Sequence, residues 1–220
     1  MRISKGAEMA HSETLRSRLR HVYWIGGGSG AGKSTIAERL ADQYGLRHYS
    51  TDETIRDHGR RTPTEDRPLA SAFDKMDMDE RWLRSPETML DTFHLWRGEC
   101  FDRIVEDLLE FPPDRWIVAD GHRLLPDLVK PLLCVTDQSV WLLPTPEFRL
   151  AAFKSRGTLW NIAGKTSNPE RALQNLLVRD GLFTDRLRKE TKRAGLPAIE
   201  VNNSVTVDTL FDRVAKQFRL

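Results

Sequence analysis

From Gly27 to Thr35 the chain reads GGSGAGKST, four glycines within six residues followed by a lysine and two hydroxyls. Residues Gly27, Gly28, Ser29, Gly30, Ala31, Gly32, Lys33 and Ser34 satisfy G-x-x-x-x-G-K-[ST], and Thr35 extends the run. The glycines let backbone N–H groups converge on phosphate oxygens without side-chain clash. A helix beginning at Lys33 adds unpaired N–H groups and the positive end of its dipole. Lys33 is placed to reach β- and γ-phosphates, and Ser34 to offer a hydroxyl to Mg²⁺. The context fits: Val22–Ile25 is an apolar, β-prone run, and Ile36, Ala37, Leu40 and Ala41 recur at helical spacing up to Gly45.

Two carboxylates follow apolar runs elsewhere. Asp120 comes directly after WIVA and is a candidate Mg²⁺ ligand beside the glycine loop. Asp52 ends the short run LRHYST and is a candidate base or substrate anchor, with helix capping as its structural alternative.

These residues need a scaffold. The spacing predicts strands at Val22–Ile25, Leu46–Ser50, Trp116–Ala119, Val140–Leu143 and over AIEVN. Helices are predicted at Lys33–Tyr44, Glu87–Phe111, Glu147–Ser155, Pro169–Arg193 and Val207–Phe218. RGTLWNIAGKTSNP reads as a polar loop, and residues 58–86 as short helices and loops closing over a cleft. Strands alternating with helices imply a parallel sheet covered on both faces. Ligands of such sheets lie beyond the carboxyl ends of the strands. Residues 1–20 read as a polar tail or short surface helix, and 21–220 as a single domain.

The loop and this order of elements resemble the P-loop kinases, the group holding adenylate, shikimate and gluconate kinases and chloramphenicol phosphotransferase. The resemblance implies a three-layer α/β/α P-loop NTPase fold with a five-stranded parallel sheet and a helical lid. It also implies ATP and Mg²⁺ as cofactors and a small-molecule hydroxyl as phosphoryl acceptor. In this group a carboxylate after the second strand accepts the acceptor's proton, the role that falls to Asp52. Lid arginines meet the transferring charge; Arg156 and Arg179, within a lid region at 156–180, are the candidates here. ADGHR resembles the DG-x-P-R stretch of adenylate kinases, with Arg123 one residue closer than in that pattern. Arg123, Arg56 and Arg97 are the candidate acceptor contacts, beside or within an acceptor-binding helical region at 58–111 that holds Arg97.

Composition bounds the alternatives. A net charge of +2 gives no case for nucleic acid as partner, which sets a polynucleotide end kinase behind a small-molecule kinase. A nucleoside monophosphate kinase stays open, because basic residues are available for an acceptor phosphate. A GTP-dependent switch should carry N-K-x-D after a strand, and the chain has none. Cys100 and Cys134 match no metal spacing and read as reduced thiols, the expectation for a cytoplasmic protein. No apolar run approaches the length of a membrane span. Whether the chain is a monomer or a homodimer is left open by the sequence.

Overall fold

A computed structural model describes residues 13–220 except 157; the side chains of 156–160 also fall outside the described residues. After a helical segment at 13–18, the chain enters β1 (Val22–Gly27), then α1 (Lys33–Tyr44), β2 (Arg47–Ser50) and α2 (Ile55–Arg61). Four further short helices follow: α3 (Pro68–Lys75), α4 (Met78–Trp82), α5 (Pro86–Thr92) and α6 (Phe101–Glu110). The remaining elements are β3 (Ile117–Asp120), α7 (Pro126–Val129), β4 (Ser139–Pro144), α8 (Pro146–Arg156), α9 (Thr158–Ala163), α10 (Pro169–Ala194), β5 (Ala198–Val201) and α11 (Val207–Phe218).

The five strands form one all-parallel sheet in the order β2-β3-β1-β4-β5. Each of the residues Val22–Gly27 is buried, and they alternate between two cores. Tyr23 and Ile25 face Ile36, Leu40, Leu210 and Val214 of α1 and α11, whereas Val22 and Trp24 face Ile104, Leu108, Val129 and Phe183 of α6, α7 and α10. The expected three-layer α/β/α architecture is therefore present. A third, smaller cluster of Trp82, Met89, Ala163, Ala172 and Leu176 joins α4 and α5 to α9 and α10.

Three expectations differ. The single helix over Glu87–Phe111 is broken into α5, a 3₁₀ turn at His94–Trp96, and α6. Gly98 has φ 84 and Cys100 φ 60, both outside the helical region. The break turns Trp96 inward to stack on Phe183, centroids 3.9 Å apart, and frees Glu99 to cap α3. The Glu99 Oε1 and Oε2 accept the Leu69 and Ala70 N–H groups at 2.7 and 2.8 Å. The loop expected over RGTLWNIAGKTSNP contains α9, which buries Ala163 in the third cluster. The end of the expected polar tail is anchored: Leu19 is buried and Leu15 packs on the same core. Among the described residues no helix is long and apolar enough to cross a membrane.

The inner face of α10 fixes this arrangement through the Phe183–Trp96 stack. Phe183→Ala should lower unfolding stability by about 3–5 kcal/mol, read as a shifted urea midpoint. A change under about 1 kcal/mol would mean that the stack is not what holds α10 to the broken helix.

Candidate functional site

The parallel register sets Ile25, Asp120 and Ser50 level across three adjacent strands. β1 lies between β3 and β4, so the chain leaves its carboxyl end at the point where strand order reverses, where open α/β sheets hold ligands. Gly27 has φ 135, and a methyl group there would lie 2.1 Å from the Leu142 carbonyl oxygen. Only glycine lets the loop leave so close to β4. The Gly28 N–H donates to the same carbonyl at 2.9 Å.

α1 opens on Gly32 in the left-handed conformation with no side-chain cap. A helix start without a side-chain cap is a place where backbone N–H groups can take up an anion. The buried Lys33 reaches back across the loop, its Nζ donating to the Gly28 carbonyl at 2.9 Å. Ser29–Thr35, Asp52 and His122 enclose a polar cavity of about 170 Å³.

Asp120 is fully buried with both oxygens bonded. Ser34 Oγ–H donates to Oδ2 at 2.8 Å, and His48 Nε2–H donates to Oδ1 at 2.7 Å. The bond to Asp120 pushes the His48 pKa up against the opposing effect of burial. The carboxylate and the Ser34 hydroxyl form an oxygen-only donor pair, which suits a hard cation such as Mg²⁺. Among the described residues no group of three or more His, Cys, Asp or Glu makes a closed cage.

Asp52 stands across the cavity. His122 Nδ1–H donates to its Oδ2 at 3.0 Å, while its buried Oδ1 has no hydrogen-bond partner. Burial works to raise the Asp52 carboxyl. The His122 bond and the charges of His122 and Lys33 outweigh it and hold the pKa at about 2.

Two further cavities flank this center. One, of about 410 Å³, lies between the loop, α8 and the start of α11, lined by Thr35, Phe148, Ala152, Asn203 and Val205 among others. The other, of about 380 Å³, lies behind Asp52 among α2, α3 and the broken helix, and includes Arg56, Arg67, His94 and Arg123. Arg123 is 2% exposed. Its Nη1 donates to the Thr51 carbonyl at 3.1 Å and to His58 Nδ1 at 3.0 Å, and its Nη2 to the Cys100 carbonyl at 2.9 Å. Burial, aided by the Arg123 charge, lowers the His58 pKa against the pull of Asp107. The neutral ring can then accept at Nδ1 while Nε2–H donates to Asp107 at 2.7 Å.

The loop residues and Asp52 thus line one cavity, with Asp120 buried beneath it and bonded to Ser34, while Arg56 and Arg123 line the neighbouring one. Arg97 does not join them: it is exposed after the 3₁₀ turn and does not line the acceptor-side cavity. Arg179 is also placed elsewhere. Its guanidinium is buried over the rings of Trp82, Phe93 and Trp96, 4.7–5.3 Å from their centroids, and donates to Asp180 Oδ1 at 2.7 and 2.9 Å. This packing, not a phosphate contact, is what the structure assigns to it. The side chain of Arg156 lies outside the described residues. Sequence reasoning missed His48, His122 and Arg149. His48 lies two residues before Ser50 on the same face of β2, so strand alternation pointed to it, whereas His122 follows the end of β3 and carried no such signal. Arg149 Nη1 donates to Thr184 Oγ1 at 3.1 Å, and a methyl group at Gly28 would sit 2.7 Å from that hydroxyl. Arg149, on α8, thus holds the Thr184 hydroxyl that lies against Gly28.

No family model matches the sequence, and no curated protein does. A crystal structure of an uncharacterized protein from Eubacterium ventriosum is similar over 90% of this chain and 97% of that one, with 14% identity and a TM-score of 0.45. What the site does has to be argued from its own residues.

His94, in the wall of the acceptor-side cavity, has a buried Nδ1 without a partner, and burial pushes its pKa down to about 4 from 6.5. The folded protein binds fewer protons here than the unfolded chain, so the ring costs stability progressively as pH falls from about 6.5 towards 4. The His94 ring resonances in an NMR pH titration should move with a midpoint of about 4. A midpoint near 6.5 would mean that the ring is solvated.

Proposed function

We propose that the protein is an ATP- and Mg²⁺-dependent kinase that transfers the γ-phosphoryl group to a hydroxyl of a small molecule. The observation that carries the reading is the glycine loop at an uncapped helix start, with Lys33 folded across it and Ser34 bonded to the buried Asp120 at 2.8 Å. The roughly 410 Å³ cavity beside Thr35 and Asn203 has the size and apolar walls for a nucleobase and ribose. The phosphates then run along the loop into the polar cavity, where their terminal group faces Asp52 and His122.

The loop amides and Lys33 bind the phosphate oxygens and fix the γ-phosphorus in line with an acceptor entering from the cavity behind Asp52. Ser34 and Asp120 would hold Mg²⁺, which supplies neutralisation of charge on the β- and γ-phosphate oxygens. Asp52, ionised at any working pH, accepts a hydrogen bond from the acceptor hydroxyl at its carboxylate and orients the oxygen for attack. His122 holds one carboxylate oxygen in place. As the oxygen–phosphorus bond forms and the bond from γ-phosphorus to its bridging oxygen breaks, the hydroxyl proton passes to Asp52. ADP departs with the bridging electron pair. Closure of α8 and α9 over the loop would exclude water from this step.

Calorimetry with Mg²⁺ and a nonhydrolysable ATP analogue should give one site per chain, lost or strongly weakened in Lys33→Ala. Asp52→Asn should leave that affinity nearly unchanged while cutting kcat by about 10²–10⁴-fold, measured as ADP release with an accepted substrate. Failure of the folded wild type to bind any nucleoside triphosphate would overturn the reading. Normal turnover in Asp52→Asn would remove Asp52 from the chemistry.

A further inference from the structure

Trp116 stands directly before β3, Arg20 just before β1 and Gln138 directly before β4, three strands that are neighbours in the sheet. Because the sheet is parallel, these residues share its amino end, opposite the glycine loop that leaves β1 at its carboxyl end. With Tyr23 and Phe218 they line a cavity of about 230 Å³. Its wall is aromatic. Tyr23 lies between Trp116 and Phe218, with centroids 4.9 and 4.6 Å away and ring planes 25° and 20° apart. Phe218 is buried, whereas Trp116 is 44% exposed. A large ring left open at the end of a stack, in the wall of a cavity, offers a face to another flat ring.

Most polar groups around the stack are already bonded. Gln138 Oε1 accepts the Cys134 and Val135 N–H groups at 3.1 and 3.2 Å, and its Nε2 donates to the Arg20 carbonyl at 2.6 Å. The Cys134 thiol donates to the Arg16 carbonyl at 3.1 Å, and Arg219 forms an ion pair with Asp137. Two groups are left over. The Arg20 guanidinium is exposed and has no ion pair or hydrogen-bond partner among the described residues. Tyr23 is only 8% exposed, yet its hydroxyl has no hydrogen-bond partner among the described residues either. Burial raises the Tyr23 pKa, so the phenol stays protonated and keeps an O–H to donate. A buried tyrosine hydroxyl usually finds a partner, and one without calls for an explanation. Both leftover groups are donors, and the two cations lining the cavity exceed its one carboxylate, Asp137. The oxygens of an anion satisfy a guanidinium and a hydroxyl together. The volume lies below the roughly 300–1,000 Å³ of sites for drug-sized ligands, which leaves room for one or two rings.

We infer that this slot binds a small aromatic anion, whose ring lies against Trp116 and whose charged group accepts from Arg20 and the Tyr23 hydroxyl. A ligand held at the amino end of the sheet is not a reactant at the glycine loop, so the site is an effector site and does not rest on the kinase reading. A neutral ring would leave Arg20 without a counter-charge, and a non-aromatic anion would leave the Trp116 face uncovered.

The test titrates three probes into the full chain by calorimetry: indoleacetate, its neutral isostere indoleacetamide, and the non-aromatic anion cyclohexylacetate. Each titration is run with and without Mg²⁺ and the nonhydrolysable ATP analogue. Indoleacetate should bind at least tenfold more tightly than either of the others, with the ATP analogue making no difference. Its affinity should fall at least tenfold in Trp116→Ala and at least threefold in Arg20→Gln and in Tyr23→Phe. Trp116 and Arg20 are exposed, and Tyr23→Phe removes only a hydroxyl, so the three variants keep the core. No binding of indoleacetate, equal affinity for the three probes, or an affinity unchanged in the variants overturns the inference. Loss of binding when the ATP analogue is present would put the probe in the nucleotide cavity and overturns it equally. Sedimentation in which the wild type self-associates and Trp116→Ala does not would give the Trp116 face to a second copy of the chain, which also sinks the ligand site. Indoleacetate uptake without uptake of the ATP analogue keeps the slot and removes the kinase reading alone.

Discussion

A carboxylate with no exposure to water, set at the end of a central parallel strand, is the constraint around which the site is arranged. Asp120 is level with Ile25 on one side and Ser50 on the other. Left unpaired there it would cost several kcal/mol in desolvation. Its two oxygens are instead satisfied from two different elements, Ser34 at the start of α1 and His48 on β2. The Ser34 bond fixes where α1 begins relative to β3, and so fixes the curvature of the loop between β1 and α1. The His48 bond holds the edge strand in register, and with it the turn that carries Asp52.

The second polar system runs through the other side of the sheet. Tyr49 on β2 and His58 on α2 both donate to Asp107 Oδ2 at 2.7 Å, and Arg61 donates to its Oδ1. One carboxylate of α6 thus gathers β2 and α2. The chain continues through His58 to Arg123, and this step requires a neutral imidazole, since an imidazolium has no acceptor nitrogen. Burial supplies that neutrality. The positioning of the buried guanidinium is therefore linked to the packing of α2 on α6. The cavity around Arg123 is held by hydrogen bonds among side chains from separate elements, whereas the glycine loop is held mainly by backbone.

That difference explains what could be read from the amino-acid order. The loop, Lys33, Ser34 and Asp120 were legible because their chemistry is local, a strand end, a run of glycines and a helix start. The sheet was legible from the alternation of apolar runs with amphipathic ones. Pro169 was recognised as a helix opener, yet α3, α5, α7 and α8 also begin on proline, and of these α3 lies in a stretch read as short helices and loops and α5 in one read as a single long helix. Gly98 was legible as an interruption of the helix but not as its end, because the partner is distant: Phe183, far along the chain, offers Trp96 a stacking partner. Arg179 misled for the same reason. Arg-Asp on a helix near the lid fits a catalytic pair equally well, and only the three aromatic rings converging on its guanidinium from other elements identify it as packing.

Asp52 raises the remaining question of mechanism. A carboxylate held at about 2 is a poor proton acceptor at neutral pH, and a general base works best when its pKa lies near the working pH. On the proposed reading this is no defect. When the transferring phosphoryl group has largely left its donor before the acceptor bonds to it, the attacking hydroxyl needs little activation at the outset. Its proton becomes acidic only as the new oxygen–phosphorus bond forms. A weakly basic carboxylate then suffices, provided that it is always ionised and fixed in direction. The His122 bond and the Lys33 charge secure both conditions at once. They lower the basicity of Asp52 while fixing its ionisation and orientation, which is the balance expected of a site that works by position and charge neutralisation and not by strong base catalysis.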